Sequence, residues 1–142
     1  MKSNPLMEQS EQLAIYIEKL CKSLNKSNHS NTIFQIKKSS SSVYANISEA
    51  QYPQSPADML SKFKIARKEC IETESWLKLL YKTEAINETT YKTTRNQCGR
   101  IRRMLTSSCI TIENKIKKNI ESLLDLKSTL EYIITTAEQK VD

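Results

Sequence analysis

Apolar residues recur along most of the chain at alternating steps of three and four, the spacing that lays a single stripe along an α-helix. Leu13, Ile17, Leu20 and Leu24 draw the first stripe and predict a helix from about Met7 to Leu24, after which the polar run Asn25 to Ser30 reads as a loop. Ile33, Ile36, Ser40, Val43, Ile47 and Ala50 predict a second helix, in which the small Ser40 lets a neighbour approach closely. The stretch from Ala50 to Gln54 ends it. Ser55-Pro56-Ala57-Asp58 then supplies a cap, a proline suited to the first helical position and an acid near the positive helix end.

A third helix therefore starts at Pro56, its seam passing through Met59, Phe63, Ala66, Cys70, Thr73, Leu77 and Leu80 with Trp76 on the shoulder. The connection around Glu84 to Ile86 is short, Asn87 can cap the next helix, and so few linking residues force the flanking helices to run antiparallel. Cys98, Ile101, Leu105, Cys109, Ile112, Ile116, Ile120 and Leu123 continue to Leu130, Ile134 and Ala137, with Lys127 interrupting the line. Two successive steps of four around Ile116 resemble a coiled-coil stutter. Either one very long fourth helix or a fifth helix capped by Asn119 fits this pattern. The expected fold is an all-α, antiparallel up-down-up-down four-helix bundle over residues 1–113. A helical extension over 114–142 completes the chain, packed on the bundle or on a neighbouring subunit.

Composition agrees with long helices: among 142 residues Gly occurs once, at Gly99, and Pro three times, all before position 57. The four cysteines, Cys21, Cys70, Cys98 and Cys109, lack the paired spacing of a zinc or redox motif and fall at apolar helical positions, so buried reduced thiols are expected. There is no charged-then-apolar leader and no run of 18 uncharged apolar residues, which points to a cytoplasmic protein without a membrane partner.

Gln35-Ile36-Lys37-Lys38, Ser42-Val43-Tyr44-Ala45-Asn46-Ile47-Ser48-Glu49-Ala50, Ser55-Pro56-Ala57-Asp58 and Ile65-Ala66-Arg67 together resemble a known signature. It is that of the bacterial four-helix bundle family whose founding members are encoded in intervening sequences of 23S rRNA genes. The resemblance spans about Leu13 to Glu113. Where the family pattern usually has Gly this chain has Ala50, which argues against a tight left-handed helix ending there, and lysines stand at 37 and 38 where arginines are common. The resemblance implies a bundle often assembled into a ring of five, a link to RNA and no enzymatic activity. A more distant relative is the accessory protein of diversity-generating retroelements, which binds nucleic acid and a reverse transcriptase.

Catalytic chemistry finds little support in the residues. The only histidine, His29, falls in the expected loop, so the histidine half of a bundle-core metal site is missing and no cofactor is expected. Glu69, Glu72 and Glu74 sit among Lys62, Lys64 and Lys68, as on a solvated helix face, and no nucleophile with a base or Gly-rich phosphate loop accompanies them. Asn46 and Glu49, three apart, share a face at the end of the second helix. With Arg67 or Lys68 from the third they are expected to form a structural polar clamp at that corner.

Charge adds the one functional candidate. The net charge is +6, and between Glu88 and Glu113 there is no acid, whereas Lys92, Arg95, Arg100, Arg102 and Arg103 fall within twelve positions. At about 100° per residue, Lys92, Arg95, Arg102 and Arg103 occupy roughly a third of the helix circumference. Such a stripe can track phosphates without reading bases. The expectation is a non-enzymatic homo-oligomer, by resemblance a pentamer, that binds RNA or another nucleic acid through this face. The alternative is a protein-interaction scaffold acting through its helical surface and C-terminal extension.

Overall fold

Each helix starts on a residue that captures an otherwise unpaired backbone N–H. In the computed structural model, which describes residues 3–141, these helices are α1 (Pro5–Lys22), α2 (Lys26–Ala50), α3 (Pro56–Lys82) and α4 (Glu88–Val141). The domain limits expected at residues 1 and 142 lie outside the described residues. Asn4 accepts from Met7 N at 3.2 Å, Asn25 from Ser27 N at 3.0 Å, Ser55 from Asp58 N at 3.0 Å and Asn87 from Thr90 N at 2.8 Å. No strand occurs among the described residues.

Helix α2 begins at Lys26, inside the stretch expected to be a loop, and a kink at His29 (φ −130°, ψ 22°) separates its first turn from the rest. Nothing in Asn25 to Ser30 forbids a helix once Asn25 caps it, because the run holds no Gly or Pro. At its far end α2 passes through Gln51 with right-handed dihedrals, and Gln51 N and Tyr52 N donate to Ser48 O and Glu49 O, both at 3.1 Å. The left-handed ending that Ala50 would resist is not used. Helix α3 does end that way: Glu84 sits at φ 63°, with Glu84 N donating to Tyr81 O at 3.0 Å and Ala85 N to Leu80 O at 2.8 Å. These two bonds form a Schellman motif on a residue other than glycine.

Each helix packs on its chain neighbours, and α1 closes the ring by touching α4. Polar contacts fix the register. Glu18 meets Lys37 at 3.3 Å, while Asn4 Nδ2 donates to Gln51 Oε1 at 2.9 Å, so contacts climb α2 as they descend α1. Lys62 pairs with Glu49 at 2.6 Å, and Thr73 Oγ1 donates to Ser39 Oγ at 2.8 Å, the same crossing pattern between α2 and α3. Arg102 with Glu74 and Lys64 with Glu113 repeat it between α3 and α4.

The core follows the apolar stripes. Leu13, Ile17, Ile36, Val43, Ile47, Leu77, Leu80, Ile101 and Leu105 lose all contact with solvent, as do Cys70 and Cys98. All of the expected α3 seam is buried except the half-buried Met59. In α1 the deep position after Ile17 belongs to Cys21 rather than Leu20, which is half-buried, because a step of four keeps the seam on the same side. All four thiols are buried and free.

Helix α4 runs unbroken for 54 residues, so Asn119 does not cap a fifth helix. Its first half completes the bundle. The last contacts with the bundle are near Ile112, half-buried against the core, the Lys64–Glu113 pair, and a shallow groove beside Leu60 lined by Ile116, Ile120 and Glu121. From there the helix leaves its own bundle instead of folding back, since nothing between 100 and 141 breaks it: no Gly and no Pro. The tail reaches about 38 Å beyond Ile116 at 1.5 Å per residue.

Candidate nucleic-acid interface

The five cations of α4 share one scaffold but not one environment. Asn87 fixes the start of the helix, and the Thr94 hydroxyl donates to Thr90 O at 2.7 Å, holding that side chain against the core. Lys92 is exposed and pairs with Glu88 one turn back at 2.8 Å, and this contact holds the Glu88 carboxyl below its usual range. The Arg95 guanidinium lies 5.3 Å from the ring centre of Tyr91. Tyr91 in turn packs at 4.6 Å, tilted by 32°, on Tyr81, so this ring is already engaged on the bundle.

Arg102 departs most from the expected outward stripe. Its Nε–H donates to Glu74 Oε2 at 3.2 Å and its Nη2–H to Glu74 Oε1 at 3.4 Å, a two-pronged contact that ties α4 to α3. Helix α4 itself lacks acids in this span, but its neighbour supplies one, and Arg102 is thereby withdrawn from the basic face. Arg103 is exposed and folds back over Gly99: a Cβ there would stand 3.2 Å from its Nη1. Gly99 thus gives the guanidinium room to lie against the helix. Among the described residues Arg95, Arg100 and Arg103 are exposed and have no carboxylate partner, so they, with Lys92, form the basic face that remains.

The polar clamp expected at the α2–α3 corner is not assembled. Asn46 Nδ2 donates within its own helix, to Ser42 O at 2.8 Å and Ser42 Oγ at 3.1 Å. Glu49 is exposed and its partner is Lys62, whose ammonium is held above its usual range by that hydrogen bond. Arg67 sits more than a turn farther along α3; burial raises the Cys109 thiol of α4, and the Arg67 charge offsets part of that rise. The corner geometry explains this: after a five-residue connection, Lys62 is the side chain level with Glu49.

Burial, followed by the charge and hydrogen bond of Glu72, pushes the Glu69 carboxyl up, while Glu72 accepts from Trp76 Nε1 at 3.2 Å and Glu74 is engaged by Arg102. His29 is half-buried at the α2 kink. Among the described residues no three His, Cys, Asp or Glu side chains converge as metal ligands would, and no helix is long and apolar enough to cross a membrane.

A second surface is more prominent than the basic face. Beyond Ile116 nearly every side chain is exposed, among them Leu123 (66%), Leu126 (56%), Leu130 (51%) and Ile133 (54%). Leu126 and Ile133 do not belong to the stripe drawn through Ile120, Lys127 and Ile134. They replace the interrupting Lys127 and widen the apolar face.

The family pattern of the 23S rRNA-intervening sequence proteins matches residues 2–107. The fold is similar, with a TM-score of 0.68 and 36% sequence identity, to the crystal structure of a protein of unknown function from the S23 ribosomal protein family of Bacteroides thetaiotaomicron. That match covers 73% of this chain and 97% of that one. Among curated proteins there is no match. The family match ends at residue 107, so the tail lies outside it.

Proposed function

The chain belongs to the family of 23S rRNA-intervening sequence proteins, and from that premise we propose that it is a non-enzymatic helical module that binds RNA or another nucleic acid through Lys92, Arg95, Arg100 and Arg103. The observation that carries this reading is the set of three exposed arginines without carboxylate partners on a helix face that lacks acids from 89 to 112. Guanidinium groups so placed contact phosphates and leave the bases unread. The crossed contacts between successive helices support an antiparallel up-down-up-down course, which presents this face on the outside of the bundle. By the family resemblance the working form is a homo-oligomer, a ring of five, in which each copy repeats the face. The reading as a non-enzyme is supported by the engagement of Glu72 with Trp76 and of Glu74 with Arg102, and by thiols that burial keeps protonated.

The test is a salt titration of binding to an unstructured RNA by the wild type and by an Arg95→Gln, Arg100→Gln, Arg103→Gln variant. Each lost phosphate contact is expected to flatten the slope of log affinity against log salt by about 0.7 to 0.9. Equal slopes and affinities would refute the assignment. The exposed apolar tail favours a second reading, a scaffold for protein assembly, and absence of RNA binding by the wild type at low salt would leave that reading in place.

A further inference from the structure

We propose that the tail of α4, residues 116–137, is a self-association element through which copies of this chain join as a parallel, in-register coiled coil whose one polar layer is Asn119. The inference stands apart from the basic face and uses none of its residues.

It begins with the register of α4. Leu105 and Cys109 are buried in the bundle, and from them the steps four and three alternate without a break through Ile112, Ile116, Asn119, Leu123, Leu126, Leu130, Ile133 and Ala137. With Asn119 in the series the apparent stutter at Ile116 vanishes. A strict seven-residue repeat of this kind keeps its seam facing a partner only if the helices supercoil. Up to Ile116 the partner is the chain's own α3, which starts at Pro56. Past that point the same seam continues with nothing against it, and Ile120 and Ile134 widen it on one side.

A second copy meets the demands of this seam. Placing identical helices in parallel and in register sets Asn119 opposite Asn119, so each amide meets a polar partner, whereas an offset or antiparallel pairing sets it against an apolar side chain. The flanking positions that then face each other across the interface are Lys115 with Ile120, Ser122 with Lys127, Thr129 with Ile134 and Thr136 with Val141. No like charges meet at these positions, and Lys140, the next seam position after Ala137, marks where the repeat ends.

At roughly 60–100 Å² of apolar surface for each large aliphatic side chain, the stripe offers several hundred Å² per copy, close to the about 800 Å² per partner of a stable interface. Residues 114–141 carry five lysines and four acids interspersed, so no field of one sign draws RNA or an anionic membrane to the tail.

The experiment uses the full chain with single cysteines added at seam positions, since the four native thiols are buried. Leu126→Cys is expected to form an intermolecular disulfide readily under mild oxidation, and Leu123→Glu with Leu130→Glu in the same chain is expected to abolish it. Helicity and melting of the bundle are checked in parallel. Mixing Leu123→Cys with a heavier-tagged Ile133→Cys, Asn119 kept in both, sets the orientation, and 123–123 and 133–133 products are expected. Cross-linking that ignores the two glutamates, predominantly 123–133 products, or no cross-linking at all would each overturn the inference. In the last case another protein or a membrane covers the stripe.

Discussion

Arg102 of α4 holds both carboxylate oxygens of Glu74 on α3, at 3.2 and 3.4 Å, with the Glu74 side chain only 20% exposed. This contact lies inside the span whose sequence suggests a continuous basic face, and it gives Arg102 a structural task. Arg102→Gln is expected to lower stability by about 1 to 2 kcal/mol, the range of a partly screened, charge-assisted bond, and to leave the salt slope of RNA binding unchanged. Chemical denaturation and the salt titration read the two effects separately. A smaller salt slope with unchanged stability would return Arg102 to the binding face.

The contrast between Arg102 and the α3 seam shows what sequence can carry. Met59 to Leu80 was legible because a 3.6-residue period and the Ser55-Pro56 cap are properties of one segment, and the structure buries nearly all of that stripe. Arg102 was not legible, because its partner lies 28 residues away on another helix. The Glu49 partner failed for the same reason: which of Lys62, Arg67 or Lys68 stands level with Glu49 depends on the loop geometry between α2 and α3. The start of α2 was missed where polar residues tolerated by both loop and helix are decided by one side chain, Asn25.

Glu84 is held at φ 63° to close α3, a conformation in which its Cβ crowds the backbone. Glu84→Gly is expected to raise stability by about 0.5 to 1 kcal/mol, since glycine fits that dihedral without strain. A urea melt checks it. A loss of stability would mean that the Glu84 side chain makes up for its strained backbone.

Burial pushes the Cys21 thiol up to about 11 and the Cys70 thiol up to about 12, from an ordinary value of 9.0. The folded chain therefore keeps protons that the unfolded chain releases above about pH 9. This contribution to stability is whole below pH 9 and is lost as pH rises through the folded values, so the chain is expected to weaken between pH 9 and 12. Cys70→Ala should flatten that decline in a series of urea melts while creating a small cavity that lowers stability at every pH. The same burial predicts that the thiols of the folded chain resist a water-soluble thiol reagent at pH 8. Rapid labelling of all four without unfolding would contradict it.

The tail offers the sharpest separation between what holds the bundle and what joins copies. Helix α4 makes its last bundle contacts through Glu113, bound to Lys64 at 3.2 Å, and Ile116, beside Leu60. A chain ending at Ser122 keeps both, with Ile120 and Glu121 of the same groove. Its bundle is expected to melt within about 3 °C of the full-length protein when both are dilute, because the removed side chains are exposed and support nothing in their own chain. At higher concentration the two should diverge. Association of the tails stabilises the full-length chain by mass action, so its melting temperature climbs with protein concentration, whereas that of the shortened chain tracks only what the bundle faces contribute. Scanning melts of both over a hundredfold range of concentration decide the matter. Parallel concentration dependences would remove the tail from assembly, and a large loss of stability at the dilute end would mean that the tail returns to brace its own bundle.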